Sequence, residues 1–567
     1  MKVDNKSCGI YYGNGHQWAI VLSVAIALKV VLIFMFSWHI RLVMDEFAQL
    51  GYAKYFSSGL FETIQPTKAV GFAVFYKLAH LMGWDASSIL LAGRIQTALL
   101  ACATLTLVYA CARALGENRC RALFIVILLL CFSNFMERIF RMRAEPLALF
   151  FALAALLVIL RGQTITISTK RILIAGVFSG LAFLVTQKSV YFNIALGLGL
   201  VIDATMRRHY ITGIIRGIWL VAGWVLPVVA YCVIFGGNEP LRIAEGLVFG
   251  PMEVATRGGG EYGGLRKFVL QTLLNNILLY QLCFVGMIQM LVRINLLGER
   301  KRIAFIFSVV ITTLVFIHDQ PWPYVFIMAL PFMSLWALAP LDYFFARFNT
   351  LPFFCLAVIV AVIMLASYNA NIRYLKINNT AQIELVTRAE ALLEPDETYF
   401  DGIGMLPNRL EPTTLWLDVH YVLATRKEGV NSEAYQMFSQ SPPTLILWSY
   451  RMDNIYPVVA ALIRNSYVRV APNIRMAGSL LHAGNLQTFN VPIAGKYQLY
   501  SESGAVVSAS VEVDGVMLTP PFKLTAGSKM VALHGGSERA FLLPERAYAG
   551  LLKAGDDDKN LFADVYR

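Results

Sequence analysis

The stretch Leu42-Val43-Met44-Asp45-Glu46 decides how the rest of the chain is read. It begins where a long apolar run, Trp18 to Trp38, gives out, and it sets two adjacent carboxylates there at once. A run of that length spans a bilayer as a helix. A carboxylate pair at the mouth of such a helix is costly to keep dry, so it is either an interfacial cap or part of a functional site. Further along come Ala53, Gly59, Gln65-Pro66-Thr67-Lys68, an amphipathic segment, and Arg94 just inside the next apolar run. An acid pair, a lysine-bearing turn and an arginine thus stand in order around one connection between spans.

Composition fits a membrane setting. The 567 residues are 57% hydrophobic and 15% charged, with a mean hydropathy of +0.59, whereas soluble domains are roughly a quarter charged. The net charge of +12 does not point to nucleic acid, because most basic residues lie in short loops between apolar runs, where they orient membrane helices. The first run is too long for a cleavable signal and no small-residue cleavage site precedes Asp45, so it is expected to remain as a span. The eight cysteines contain no CxxC pair, which excludes zinc and redox motifs of that kind.

Apolar runs near 18–40, 88–112, 122–136, 144–160, 172–186, 189–205, 213–235, 268–292, 303–317, 323–340 and 351–368 predict a polytopic α-helical membrane protein of about eleven spans. Arg113/Arg119/Arg121, Arg161/Lys170/Arg171, Arg207/Arg208/Arg216, Arg293/Arg300/Lys301/Arg302 and Arg347 fall at alternate connections, which are expected to be cytoplasmic. The segment 172–205 then has to cross, turn near Gln187-Lys188 and return. By the same parity the Asp45 loop and everything after about Ser367 lie outside.

Three outer connections are nevertheless basic: those with Lys68, with Arg138, Arg141 and Arg143, and with Lys188. Either these side chains snorkel to lipid headgroups, or they converge on a phosphate. The stretch Arg138 to Glu145 sets three guanidinium groups and one acid at a single helix entrance, and a planar guanidinium grips phosphate with paired hydrogen bonds. The outer loop 236–267 has a glycine-rich centre, Arg257 to Gly264, that reads as a connector or as a lid ordering over a ligand. It lacks the strand and helix flanks of a nucleotide-binding glycine loop. The turn His318-Asp319-Gln320-Pro321-Trp322-Pro323-Tyr324 has the composition of an interfacial anchor.

After Ser367 the pattern changes. Gln382 to Leu393 has amphipathic helical spacing, while Thr444–Trp448 and Tyr467–Val470 read as buried strands, so an α/β layer is expected over 369–485. From about 486 to 567 strands dominate, with Asp514-Gly515 and Ala526-Gly527 as turns, which predicts a small sandwich.

The order of acid pair, lysine turn and arginine resembles the first extracytoplasmic loop of the GT-C glycosyltransferases, above all the protein mannosyltransferases and the lipid A aminoarabinose transferases. These use polyprenyl-phosphate sugars. Their middle element reads Lys-Pro-Pro or Glu-Lys-Pro; here it is Gln65-Pro66-Thr67-Lys68, so the lysine is kept in a different setting. A His/Pro/Tyr turn before a late span, as at His318 to Tyr324, is a second point of likeness.

The resemblance implies a GT-C-like transmembrane catalytic domain over 1–368 in the inner (plasma) membrane, followed by periplasmic or extracellular C-terminal domains. It implies an inverting transfer from a polyprenyl-monophosphate sugar to an envelope glycolipid, polysaccharide or protein. In that reading Asp45 is the base, and Glu46 orients the acceptor or helps hold a divalent ion. Lys68, Arg141, Arg143 and Lys188 receive the phosphate, Arg94 supports the carboxylates, and Glu145 orients the arginines or meets sugar hydroxyls. His318 orients the donor or shares a metal with Glu46, and Tyr324 is a supporting residue. A divalent cation is the one cofactor this reading leaves room for, and its partners are lipids and glycans, not nucleic acid.

Two other classes use the same charges. A transporter or flippase of an anionic lipid-linked sugar would need no chemistry, but the chain shows no repeated half and no matching broken helices. An envelope scaffold would leave the acid pair unexplained.

Overall fold

The structure, a computed structural model, describes residues 12–55, 69–162, 166–236, 238–257, 265–341, 353–413, 429–535 and 538–562. Lys68 with Gln65-Pro66-Thr67, the glycine-rich centre Gly258–Gly264 and Arg347 lie outside the described residues. Contacts divide the chain into two units. One takes Met1–Ile40, Gln65–Tyr76 and Gly93–Asn378; the other takes Arg41–Ile64, Lys77–Ala92 and Asn379–Arg567. The stretch that begins at Arg41 and carries Asp45 thus groups with the C-terminal region.

In lipid a backbone can satisfy its polar groups only within itself, so uninterrupted apolar sequence winds into helices. Among the described residues four helices are long and apolar enough to cross a membrane: His16–His39, Ala86–Ala114, Gln187–Met206 and Tyr210–Gly236. Lys267–Asn275 and Ile277–Val292 make a fifth if the 93° bend between them counts as one broken span. Ala144–Leu160, Leu330–Leu341 and Val360–Asn369 are shorter apolar helices.

Three of the eleven expected runs are not single straight helices. The run 122–136 breaks at Phe132, whose φ of −69° and ψ of 117° separate the helices Arg119–Cys131 and Ser133–Arg138. The run 268–292 bends at Asn276, whose φ of −141° and ψ of 40° leave the helix. Its Oδ1 accepts from the Ser133 N–H at 3.2 Å and its Nδ2 donates to Ser133 Oγ at 2.8 Å. The run 323–340 breaks into the short turns Phe326–Met328, Leu330–Ser334 and Ala339–Leu341, as its prolines Pro323, Pro331 and Pro340 require.

Close packing follows the small residues. The helices Thr169–Val185 and Tyr210–Gly236 meet at Gly176 and Gly223: a Cβ on Gly223 would lie 2.1 Å from the Leu173 carbonyl oxygen. Such residues let membrane helices touch backbone to backbone. The other face of Tyr210–Gly236, with Ile211, Ile214 and Ile218, is exposed, as a lipid-facing side must be. Some basic residues that read as topology signals also serve a buried network. Arg207 and Arg302 both bond Asp203, and Arg207 and Arg216 reach Glu299 at 2.5 Å.

In the second unit the helix Thr380–Ala391 forms where its amphipathic spacing predicts one. A four-stranded sheet follows, ordered β1 (Tyr399–Phe400), β2 (Leu445–Leu447), β4 (Ile474–Ala477), β3 (Tyr467–Ala471), with β1 and β2 parallel. Phe438 and Ile463, from the helices Glu433–Gln440 and Pro457–Ser466, pack on Phe400, Ile446 and Tyr467 of its strands.

Beyond it, two four-stranded sheets share one apolar core that includes Leu481, Phe489, Leu499, Val511, Val531 and Leu542. One is β10 (Phe522–Leu524), β7 (Gly495–Tyr500), β12 (Arg539–Pro544), β5 (Ser479–His482). The other is β6 (Gln487–Val491), β11 (Gly527–His534), β8 (Ser510–Val513), β9 (Val516–Leu518). Asp514-Gly515 makes the expected tight hairpin: both residues have positive φ and Val513 pairs with Val516. Ala526-Gly527 does not, because β10 and β11 belong to different sheets and the chain crosses the sandwich there.

Candidate active site

The first cluster gathers around the N-terminus of the helix Ala144–Leu160. That helix is almost wholly apolar and buried, so the one acid of its first turn, Glu145, needs partners inside the protein. It has two. Arg143 Nε donates to Glu145 Oε2 at 3.1 Å, and Lys188 Nζ donates to Glu145 Oε1 at 2.9 Å. Lys188 comes from the short turn Gln187–Ser189 between two helices, where the sequence predicts a reversal. Tyr324 completes the group: its ring lies 3.4 Å from the Arg143 guanidinium carbon and 4.5 Å from Lys188 Nζ. Two cations therefore bond this one carboxylate. Arg143 and Glu145 are buried, while a third of the Lys188 side chain is exposed.

Arg141 faces elsewhere. It is fully buried, and its Nη2 donates to Glu137 Oε1 at 2.8 Å while its Nε donates to the Glu137 carbonyl oxygen at 3.1 Å. Arg138 pairs with the same carboxylate. Arg141 therefore does not snorkel to headgroups. His318 stands 2.8 Å from the Tyr191 hydroxyl through Nδ1, and burial, then the Lys188 charge, hold its pKa down to about 4. It is neutral at pH 7. Arg94 is buried and donates to the carbonyl oxygens of Ile40 and Ser37, where the first helix ends.

The second cluster is the start of the helix Met44–Tyr55. The chain reaches it through Leu42, whose N–H donates to Gln382 Oε1 at 2.6 Å and whose carbonyl accepts from Gln382 Nε2 at 3.0 Å. One amide thus clamps the backbone ahead of the acid pair. The two acids then part. Glu46, at the third helical position, is fully buried and reaches back to accept from the Val43 N–H at 2.9 Å, as the acid of a capping box does. Asp45 is about one-third exposed, with Arg451 Nη2 3.9 Å from its Oδ1. Arg451 belongs to the loop that follows β2, past the carboxyl end of the short parallel pair β1–β2.

Farther along the same helix, Lys54 and Tyr55 converge on buried Glu411: Nζ is 3.7 Å away and the tyrosine hydroxyl donates at 3.2 Å. Burial pushes the Glu411 carboxyl up and the Lys54 ammonium down.

Comparison with known proteins adds the following. Two family models match: Domain of unknown function (DUF7056) over residues 423–476 and Domain of unknown function (DUF7055) over residues 479–544. The second range is the sandwich from the start of β5 to the end of β12. No curated protein matches the chain by sequence. Among solved structures, ArnT from Cupriavidus metallidurans bound to undecaprenyl phosphate superposes with a TM-score of 0.54 at 15% identity, over 80% of this chain and 97% of its own. ArnT in the apo state gives 0.52 at 14% identity, over 82% and 98%. The chain has the GT-C fold. The GT-C oligosaccharyltransferase of Archaeoglobus fulgidus in its apo form aligns over 92% of this chain and 76% of its own at 12% identity, with a TM-score of 0.48.

On this GT-C fold the structure brings together Arg143, Glu145, Lys188 and Tyr324, four residues singled out in the sequence from three separate stretches. Glu137, Gln382, Arg451 and Glu411 were not singled out. Glu137 had a local signal, four residues before Arg141 on a helical turn; the other three act over hundreds of residues of sequence. Among the described residues no three His, Cys, Asp or Glu side chains converge as metal ligands, and the Glu46 carboxylate is engaged as a cap.

Proposed function

We propose that the protein is an integral-membrane inverting glycosyltransferase that moves a sugar from a polyprenyl-monophosphate donor to an envelope acceptor on the extracytoplasmic face. The observation that carries this is the Arg143–Glu145–Lys188 group, in which two cations share one acid at the entrance of a buried helix. Two cations converging on one point, with the Lys188 side chain one-third open, suit a phosphate monoester. The fold shared with ArnT, which was crystallised with undecaprenyl phosphate, supports the same ligand class.

In this reading an acceptor hydroxyl attacks the anomeric carbon. The new carbon–oxygen bond forms as the bond to the phosphate oxygen breaks, and the polyprenyl phosphate leaves with both electrons. Lys188 and Arg143 stabilise the charge that grows on that phosphate. Asp45 takes the acceptor proton, since it is the open member of the acid pair. Glu46 holds the helix that carries Asp45, Arg141 holds Glu137, and Tyr324 and neutral His318 shape the donor side.

The reading is tested first by the lipid that copurifies. Mass spectrometry of gently extracted wild-type protein should find polyprenyl phosphate or its glycosylated form, and Lys188→Met should lose it. Its absence from wild type extracted in this way would count against the donor class. The side of the membrane is tested separately. A cysteine at Ser503 should react with an impermeant thiol reagent in intact spheroplasts and one at Ser168 should not, and the opposite labelling would overturn the extracytoplasmic assignment.

A further inference from the structure

The second unit holds a cavity of about 260 Å³ that the transfer reaction does not use. Its walls come from three places: Ala53 and Lys54 on the helix Met44–Tyr55, Lys77, His80 and Leu81 on the helix Gly71–Met82, and the 407–410 loop. The polar side carries Lys54, Lys77, His80 and Asn408, whose Nδ2 donates to the Glu390 carboxylate. His80 Nε2 is 3.1 Å from the Leu50 carbonyl, so it carries the proton and donates. Burial lowers the His80 pKa against the Leu50 hydrogen bond, which raises it, and the Lys54 and Lys77 charges lower it as well. Two acids stand near Lys54: Glu411, 3.7 Å from its Nζ, and Asp401, whose carboxylate accepts from the Ile403, Gly404 and Met405 N–H groups.

The other side is apolar and turned outward. Val74, Leu78 and Leu81 are exposed along one face of Gly71–Met82, while Phe72, Ala73, Tyr76 and Ala79 on the opposite face are buried. Leu81, 75% exposed, lines the cavity and also ends this stripe, and Trp84 just beyond is 87% exposed. An exposed apolar stripe with a tryptophan at its end is the kind of surface that contacts a headgroup layer. The cavity is too small for acyl chains yet opens onto an apolar face, so its occupant is charged at one end and lipophilic at the other.

We propose that this cavity binds the phosphate-bearing headgroup of an anionic amphiphile, the phosphate beside Lys54 and Lys77 and the chains along Leu78 and Leu81. The site goes beyond the transfer reaction and does not depend on it. The test is a binding titration of the full-length protein in neutral detergent, without sugar donor. The probes are dioctanoyl phosphatidic acid, dioctanoyl phosphatidylcholine and inorganic phosphate. Phosphatidic acid should bind saturably, and phosphatidylcholine at least about 10-fold more weakly. Lys77→Gln should weaken phosphatidic acid by about 10-fold or more, as loss of a charged hydrogen bond does, and Lys77→Arg should restore most of it. Leu81→Ser, at an exposed position, should weaken the amphiphile and leave inorganic phosphate unchanged. Equal binding of the two lipids, or Lys77→Gln binding like wild type, would overturn the site. Inorganic phosphate binding as tightly as phosphatidic acid would overturn the amphiphile and leave a free-phosphate site.

Discussion

Replacing Asp45 with Asn should slow glycosyl transfer by about 10²–10⁴-fold, the usual worth of general-base catalysis. The substitution is nearly isosteric and the position is one-third exposed, so folding and donor binding should survive. Glu46→Gln is the contrasting variant. An amide oxygen can still accept from the Val43 N–H, so the cap persists and activity should fall far less. Glu46→Ala removes the cap and should lower thermal stability by about 0.5–2 kcal/mol, with a smaller loss of transfer than Asp45→Asn. Transfer assays run beside donor-binding assays separate these cases. If Asp45→Asn kept wild-type turnover while Glu46→Gln abolished it, the two roles would have to be exchanged.

The next largest effect is expected at the donor phosphate. Lys188→Met and Arg143→Lys should each reduce donor use by about 10- to 100-fold, as loss of one charged hydrogen bond of about 1.5–3 kcal/mol implies. Both residues bond Glu145, so the double variant should lose less than the product of the two. A role in packing alone predicts something else: a lower melting midpoint with unchanged kinetics in the surviving protein. Arg143 is the more exposed to that outcome, because it is buried and stacked on Tyr324. Lys188, one-third open, is the cleaner probe.

Period and composition made the helices and the sandwich readable. The reversal at Gln187-Lys188, the hairpin at Asp514-Gly515 and the helix near Gln382 all sit where local chemistry put them. Asn276 was opaque for the opposite reason: its bend is sustained by Ser133, from another part of the chain. The candidate site divides the same way. Arg143 and Lys188 could be suspected because cations stood where orienting charges should not, and Glu145 because it is the acid beside those arginines. The adjacent acids Asp45 and Glu46 could not be told apart by sequence. One is buried as a helix cap and one is a third exposed, a difference set by the helix register and by Gln382, which clamps Leu42 from 340 residues away.

The central claim is chemical, that a sugar–phosphate bond is broken, and it is tested most directly where transport cannot occur. Purified protein in detergent would be given radiolabelled polyprenyl-phosphate sugars from envelopes of the source cell together with the total envelope glycolipid and glycan fraction. The expected result is release of one polyprenyl monophosphate per labelled acceptor formed, time-dependent in wild type and lost in Asp45→Asn. Donor that stays intact in detergent, yet crosses the bilayer when the protein is reconstituted in vesicles, would contradict the account and make the protein a carrier of the lipid-linked sugar.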